Sequence, residues 1–171
     1  MEKHKSEEAK KTRLAEIMRR LAKAYPDAEI ALNYGNPIQL LVAVILSAQC
    51  TDKKVNEITA TLFKKYKTAK DFANAKPAVF EKEIKSTGFY RAKAKSIVTS
   101  AKMLVEKYGG KLPKTMEEML TLRGVARKTA NVVLGNAYGV VEGIAVDTHV
   151  RQFANYCGLS ESHNPVKIER D

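Results

Sequence analysis

Apolar residues recur at intervals of three and four along most of the chain, the period of an α-helix with one buried face. Leu14, Ile17, Met18, Leu21 and Tyr25 mark one face of a first helix that must end before Pro26 and Asp27. Val55, Ile58, Leu62 and Tyr66 mark a second such face, and Ala94, Ile97, Ala101, Leu104 and Tyr108 a third. Gly109-Gly110 then offers the left-handed stop that helices favour. Thr115-Met-Glu-Glu118 reads as a capping box that opens a short helix. A tight turn at Arg123-Gly-Val-Ala126 leads into a helix from Arg127 to Tyr138. Asp147 stands where an N-cap belongs, ahead of Val150, Phe153, Ala154 and Cys157, and Pro165 opens one more helix.

Two stretches resist this reading. Leu40 to Ala48 is apolar all round, so period alone cannot separate helix from strand, but its helical neighbours make it a central buried helix. Val140 to Val146 is the one segment that suits a strand or an extended loop. The fold class expected is all-α.

Composition narrows the function. The 171 residues are 44% hydrophobic, enough for a core, which excludes a disordered chain. The Leu40–Ala48 run is half of what a membrane span needs, and the charged start has no apolar signal core. The expectation is a cytoplasmic protein with no membrane partner. Two cysteines, Cys50 and Cys157, make neither a disulfide framework nor a four-cysteine metal site, so no metal ligands are assigned. Cys50, inside the apolar run, is expected to be a small buried hydrophobe. Thirty Lys+Arg against nineteen Asp+Glu leave a net charge of +11, which points to nucleic acid as the partner. With aromatics at 7% and no Trp, a single-strand binder built on stacking platforms is disfavoured.

The segment Leu122 to Asn131 carries the most chemistry. A tight turn centred on Gly124 exposes the backbone N–H groups of the next helix's first turn, and these donors with the helix dipole suit a phosphate. Arg127 and Lys128 add full charges beside it. An ordinary helix corner with a glycine cap would show the same spacing.

Four ordered blocks carry a resemblance: Leu46-Ser-Ala-Gln-Cys-Thr-Asp52, Gly88-Phe-Tyr-Arg-Ala-Lys-Ala94, Leu122 to Asn131, and Ala145-Val-Asp-Thr-His149. In them the chain resembles the helix–hairpin–helix DNA glycosylases of the endonuclease III type, from about Asn33 through Cys157. The resemblance implies a bifunctional N-glycosylase with AP lyase activity, excising oxidised pyrimidines from duplex DNA. It places the catalytic lysine on Lys128 and the catalytic aspartate on Asp147. A neutral lysine amine can attack the sugar C1′ and hold it as a Schiff base, while a carboxylate stabilises developing positive charge. An unperturbed lysine has a pKa of about 10.4, so the amine must be made neutral to act. Arg127 and burial would push that way, and Asp147 would oppose it. The enzyme must also take the nucleotide out of the stack and fill the gap. The resemblance assigns gap filling to Gln49 and the wedge to Phe89, and DNA contact at the hairpin to Arg123, Gly124, Val125, Ala126 and Arg127. A polar helix end would equally explain Gln49, and a core aromatic Phe89. His149 is assigned no chemistry.

The chain departs from the family pattern in three places. Arg123 stands where relatives commonly have proline, and Ala126 where they have a second glycine, which matters if that position needs positive φ. Relatives usually continue into helices whose four cysteines bind a 4Fe–4S cluster; those ligands are absent here, and none of this chain's residues encodes a cofactor site. The resemblance implies a helical barrel domain over 25–134, with the helix–hairpin–helix near 115–134. It implies a second, split domain made of the helix 1–24 and the return segment 135–171, the latter incomplete, leaving an exposed apolar surface on the first helix. The partner implied is double-stranded DNA with damaged bases or abasic sites, bound by a monomer. Two rival readings stay open: a monofunctional mismatch or adenine-type glycosylase of the same fold, and a non-catalytic helix–hairpin–helix DNA-binding module.

Overall fold

The computed structural model describes residues 2–171, and it is helical throughout, with no strand among the described residues. The helices are α1 (Glu2–Ala24), α2 (Pro37–Ser47), α3 (Asp52–Lys65), α4 (Ala69–Ala73), α5 (Pro77–Glu83), α6 (Tyr90–Tyr108), α7 (Met116–Leu120), α8 (Arg127–Tyr138), α9 (Thr148–Tyr156) and α10 (Pro165–Arg170). A single 3-10 turn, Lys85–Thr87, precedes α6. The chain forms two compact units, one of Ile30–Ala145 and one of residues 1–29 with Val146–Asp171.

In the unit Ile30–Ala145 the apolar run is the central helix α2, packed against α3, α6 and α8. Being covered on every side explains why it has no polar stripe: Leu40, Leu41, Val42, Ala43, Ile45 and Leu46 are all buried. Asn36 starts it by accepting from the Gln39 backbone N–H at 3.0 Å, and Pro37 supplies the preset first residue. Tyr66, Phe72 and Phe80 form a second packing centre, with ring centroids 5.2 Å apart for the stacked Tyr66–Phe72 pair. Val140 to Val146 is an irregular loop. Its backbone bonds go to α8: Val140 N–H donates to the Leu134 carbonyl (3.2 Å), and the Asn131 amide donates to the Ile144 carbonyl (3.0 Å).

Two local expectations need correction. Thr115 caps α7 by accepting from Glu118 N–H at 3.3 Å, but the Glu118 carboxylate accepts from the Thr115 hydroxyl at 2.8 Å. The return bond from the Thr115 backbone N–H to that carboxylate is not made, so the reciprocal box is only half complete. The complete box is at α4, between Thr68 and Asp71. Cys50 is half-buried rather than buried, because α2 has already ended at Ser47.

In the other unit, Val146, Ala154 and Ile168 make a small core with Val150 and Leu159 against it. Arg13 on α1 donates to the Cys157 carbonyl at 3.0 Å. The apolar face of α1 is exposed at Leu14, Met18, Leu21 and Tyr25, as are Phe153 and Tyr156 on α9.

Candidate active site and nucleic-acid interface

The hairpin lies between α7 and α8, with its shape set by apolar anchors and one glycine. Leu122 and Val125 are buried, and Val125 N–H donates to the Leu122 carbonyl at 3.2 Å. The Ser100 hydroxyl on α6 donates to the Arg123 carbonyl at 2.9 Å, fastening the turn from behind. Gly124 has φ +79°, and a Cβ there would lie 2.8 Å from the Ser96 Cβ and Oγ. Both the backbone conformation and the space therefore demand glycine. Ala126 has φ −95° and ψ 170°, an ordinary extended conformation, so alanine meets no strain in place of a second glycine. It is the N-cap of α8 and has no side-chain oxygen to cap it. Arg123 and Lys128 are exposed and Arg127 is half-buried around this helix start.

Asp147 is the N-cap of α9: its Oδ1 accepts from the Val150 backbone N–H at 2.8 Å. The capping bond fixes the rotamer, and the side chain is half-buried. Lys128 belongs to the unit Ile30–Ala145 and Asp147 to the other.

Gln49 and Phe89 come together although forty residues of chain separate them. With Ala48 and Lys93 they line a cleft of about 260 Å³. Both are exposed, Phe89 at 69%, so Phe89 is no core aromatic. They are also the two non-glycine residues with left-handed backbone among those described, at φ +52° for Gln49 and +46° for Phe89. Such a conformation costs about 1–3 kcal/mol per residue and persists where the surroundings impose it, typically at functional sites.

Lys93 is the residue that sequence reasoning passed over. It is 5% exposed, and its ammonium donates to the Leu46 carbonyl in the last turn of α2 and to the Thr87 carbonyl before α6, both at 2.8 Å. Burial pushes its pKa below the ordinary lysine value, only partly offset by Cys50 nearby. The signal was available, since 93, 97, 100 and 104 share the buried face of α6.

A 4Fe–4S cluster takes four thiolates. Among the described residues no group of three or more His, Cys, Asp or Glu is placed to hold a metal, and the two cysteines lie in different units. The residues present do not fit that group. No helix among the described residues is long and apolar enough to cross a membrane.

An all-helical scaffold presenting a glycine hairpin at the start of a basic helix is a helix–hairpin–helix protein. The chain belongs to the HhH-GPD superfamily of base excision DNA repair proteins, whose pattern it matches over residues 42–171. By that membership it is a base excision repair enzyme, a DNA glycosylase. It is 50% identical over 163 residues to the endonuclease III of Synechocystis sp., covering 95% of this chain and 74% of that one. Its fold superposes with a TM-score of 0.88 on a non-covalent endonuclease III–DNA complex, at 42% identity, covering 94% of this chain and 75% of the other. A trapped endonuclease III–DNA covalent intermediate matches equally well, with a TM-score of 0.88 and the same identity and coverage.

Proposed function

We propose that the protein excises oxidised pyrimidines from duplex DNA and cleaves the resulting abasic site as an AP lyase, with Lys128 as nucleophile and Asp147 as its assisting carboxylate. The observation that supports this most is Lys128 itself: an exposed lysine in the first turn of α8, beside the glycine hairpin. Similarity to an endonuclease III trapped covalently on DNA supports the same reading.

The chemistry follows from the groups. The Lys128 Nζ lone pair bonds to C1′ as the glycosidic bond breaks, and that bond's electrons leave with the base, which takes up a proton. Loss of the amine proton and opening of the sugar ring give the iminium. The iminium acidifies C2′; its proton leaves, and the C3′–O bond breaks with departure of the 3′ phosphate. Asp147 stabilises the cationic character that develops at the sugar and relays protons.

The hairpin holds the duplex. The first turn of α8 receives a backbone phosphate at the positive end of its dipole, with Arg123, Arg127 and the hairpin backbone from Gly124 to Ala126 around it. Gln49 and Phe89 enter the duplex at the lesion, Gln49 hydrogen-bonding the orphaned base and Phe89 wedging the stack.

Borohydride trapping on a duplex with an abasic or oxidised-pyrimidine site tests the reading. A covalent adduct is expected from the wild type and none from Lys128→Ala. An adduct that survives Lys128→Ala would overturn the assignment of the nucleophile.

A further inference from the structure

Lys93 is a buried cation for which the proposed chemistry has no use. Its two acceptors lie in separate segments, one three residues before Gln49 and the other two residues before Phe89. Those segments end in the two strained, exposed residues that face one cleft. Exposure means that neither Gln49 nor Phe89 is held by its own packing. One ammonium group joins the two backbones just upstream of both. A methionine would fill the same volume without the penalty of taking a charge out of water, so packing alone gives no reason for a lysine. The Leu46 carbonyl stands at the C-terminal end of α2, where helix carbonyls lack helical partners and a cation is favoured.

We propose that Lys93 is a positioning residue for lesion recognition: by tying the Leu46 carbonyl to the Thr87 carbonyl, it sets Gln49 and Phe89 at the separation at which they probe the duplex. The inference rests on the reading of Gln49 and Phe89 as DNA-contacting residues. The lowered pKa of the group is consistent with a charge held in place at a cost.

The test is the ratio of affinities for a duplex carrying a tetrahydrofuran abasic analogue and for the same duplex undamaged. Lys93→Met and Lys93→Gln are expected to lower that ratio at least tenfold, with affinity for undamaged duplex within twofold of wild type. Lys93→Arg, which keeps enough donors for both carbonyls, should restore the ratio to within threefold. Gln49→Ala and Phe89→Ala should each lower it as well, and Gln49→Ala added to Lys93→Met should cost little more. An unchanged ratio in Lys93→Met, with Gln49→Ala still lowering it, overturns the role of Lys93 and leaves the underlying reading intact. No change in Gln49→Ala and Phe89→Ala overturns that reading, and this one with it. Parallel loss of both affinities, or loss of a cooperative melt in both the Met and Gln variants, reduces Lys93 to a residue of the fold and also overturns the proposal.

Discussion

Gly124 and Ser96 meet so closely that a Cβ on the glycine would lie 2.8 Å from the serine Cβ and Oγ. The hairpin thus lies close against α6, flanked by Leu122 and Val125, both buried. Gly124→Ala is expected to cost about 1–3 kcal/mol of stability through its φ of +79° and this contact together. It should weaken binding to undamaged duplex as the helix start moves. Measured against Ser96→Gly alone, which itself costs about 0.5–1 kcal/mol inside α6, the double variant should recover the steric part only, leaving the cost of the left-handed backbone. Urea melts of the single and double variants separate the two.

Asp147 combines a cap with a proposed catalytic role, and two substitutions pull them apart. Asparagine caps helices about as well as aspartate, so Asp147→Asn should keep the fold's stability while base excision falls by about 10²–10⁴. Asp147→Ala should lose activity and also about 0.5–2 kcal/mol of stability. Single-turnover excision beside thermal melts reads both. Equal activity in wild type and Asp147→Asn would leave Asp147 as a cap alone.

The left-handed conformation of Phe89 predicts a variant that keeps its stability as it loses function. Glycine adopts φ +46° without steric cost, so Phe89→Gly should melt no lower than wild type. Its preference for damaged over undamaged duplex should fall at least tenfold. A melt lowered by several degrees would mean that Phe89 is held by packing that its exposure does not reveal.

Asp71 sets an acid limit on α4. The Lys67 backbone N–H first, with the Thr68 N–H and hydroxyl, holds its carboxyl below the usual carboxylate range, with donor distances of 2.8–2.9 Å. A carboxyl depressed in the folded state contributes stability that is fully present above its unfolded value of about 3.9 and is lost as pH falls through the folded value. The stability advantage of wild type over Asp71→Asn should therefore shrink on acidification below about pH 4. Chemical denaturation across that range measures it. A constant difference would show that the carboxylate's charge does not matter to the cap.

Binding should also weaken steeply with salt, since phosphate contacts release counterions. Arg127→Ala is expected to reduce the slope of log affinity against log salt by about one phosphate contact. A flat response in the wild type would contradict the reading of its net charge.

Periodicity made most of the helices legible, along with their punctuation at Gly109, Asp147 and Pro165, because those depend on local rules of capping and amphipathic spacing. The hairpin and its glycine were legible for the same reason. The apolar run of α2 was ambiguous because its burial on all sides erases the period, and only α3, α6 and α8 packed around it settle what it is. The half-made box at Thr115 shows the limit of motif reading, since the same four-residue spacing closes fully at Thr68–Asp71 and only half at Thr115–Glu118.

The all-α class and the family blocks were readable from local patterns along the chain, and the resemblance in those blocks supplied the candidates Lys128, Asp147, Gln49 and Phe89. That Ala126 needs no glycine, that Gln49 and Phe89 face one cleft, and that Lys93 links their segments came from the folded chain alone. Those facts depend on backbone angles and on contacts between residues forty or more positions apart, such as the Lys93 ammonium on the Leu46 carbonyl. No local rule of propensity or spacing reaches that far along a chain.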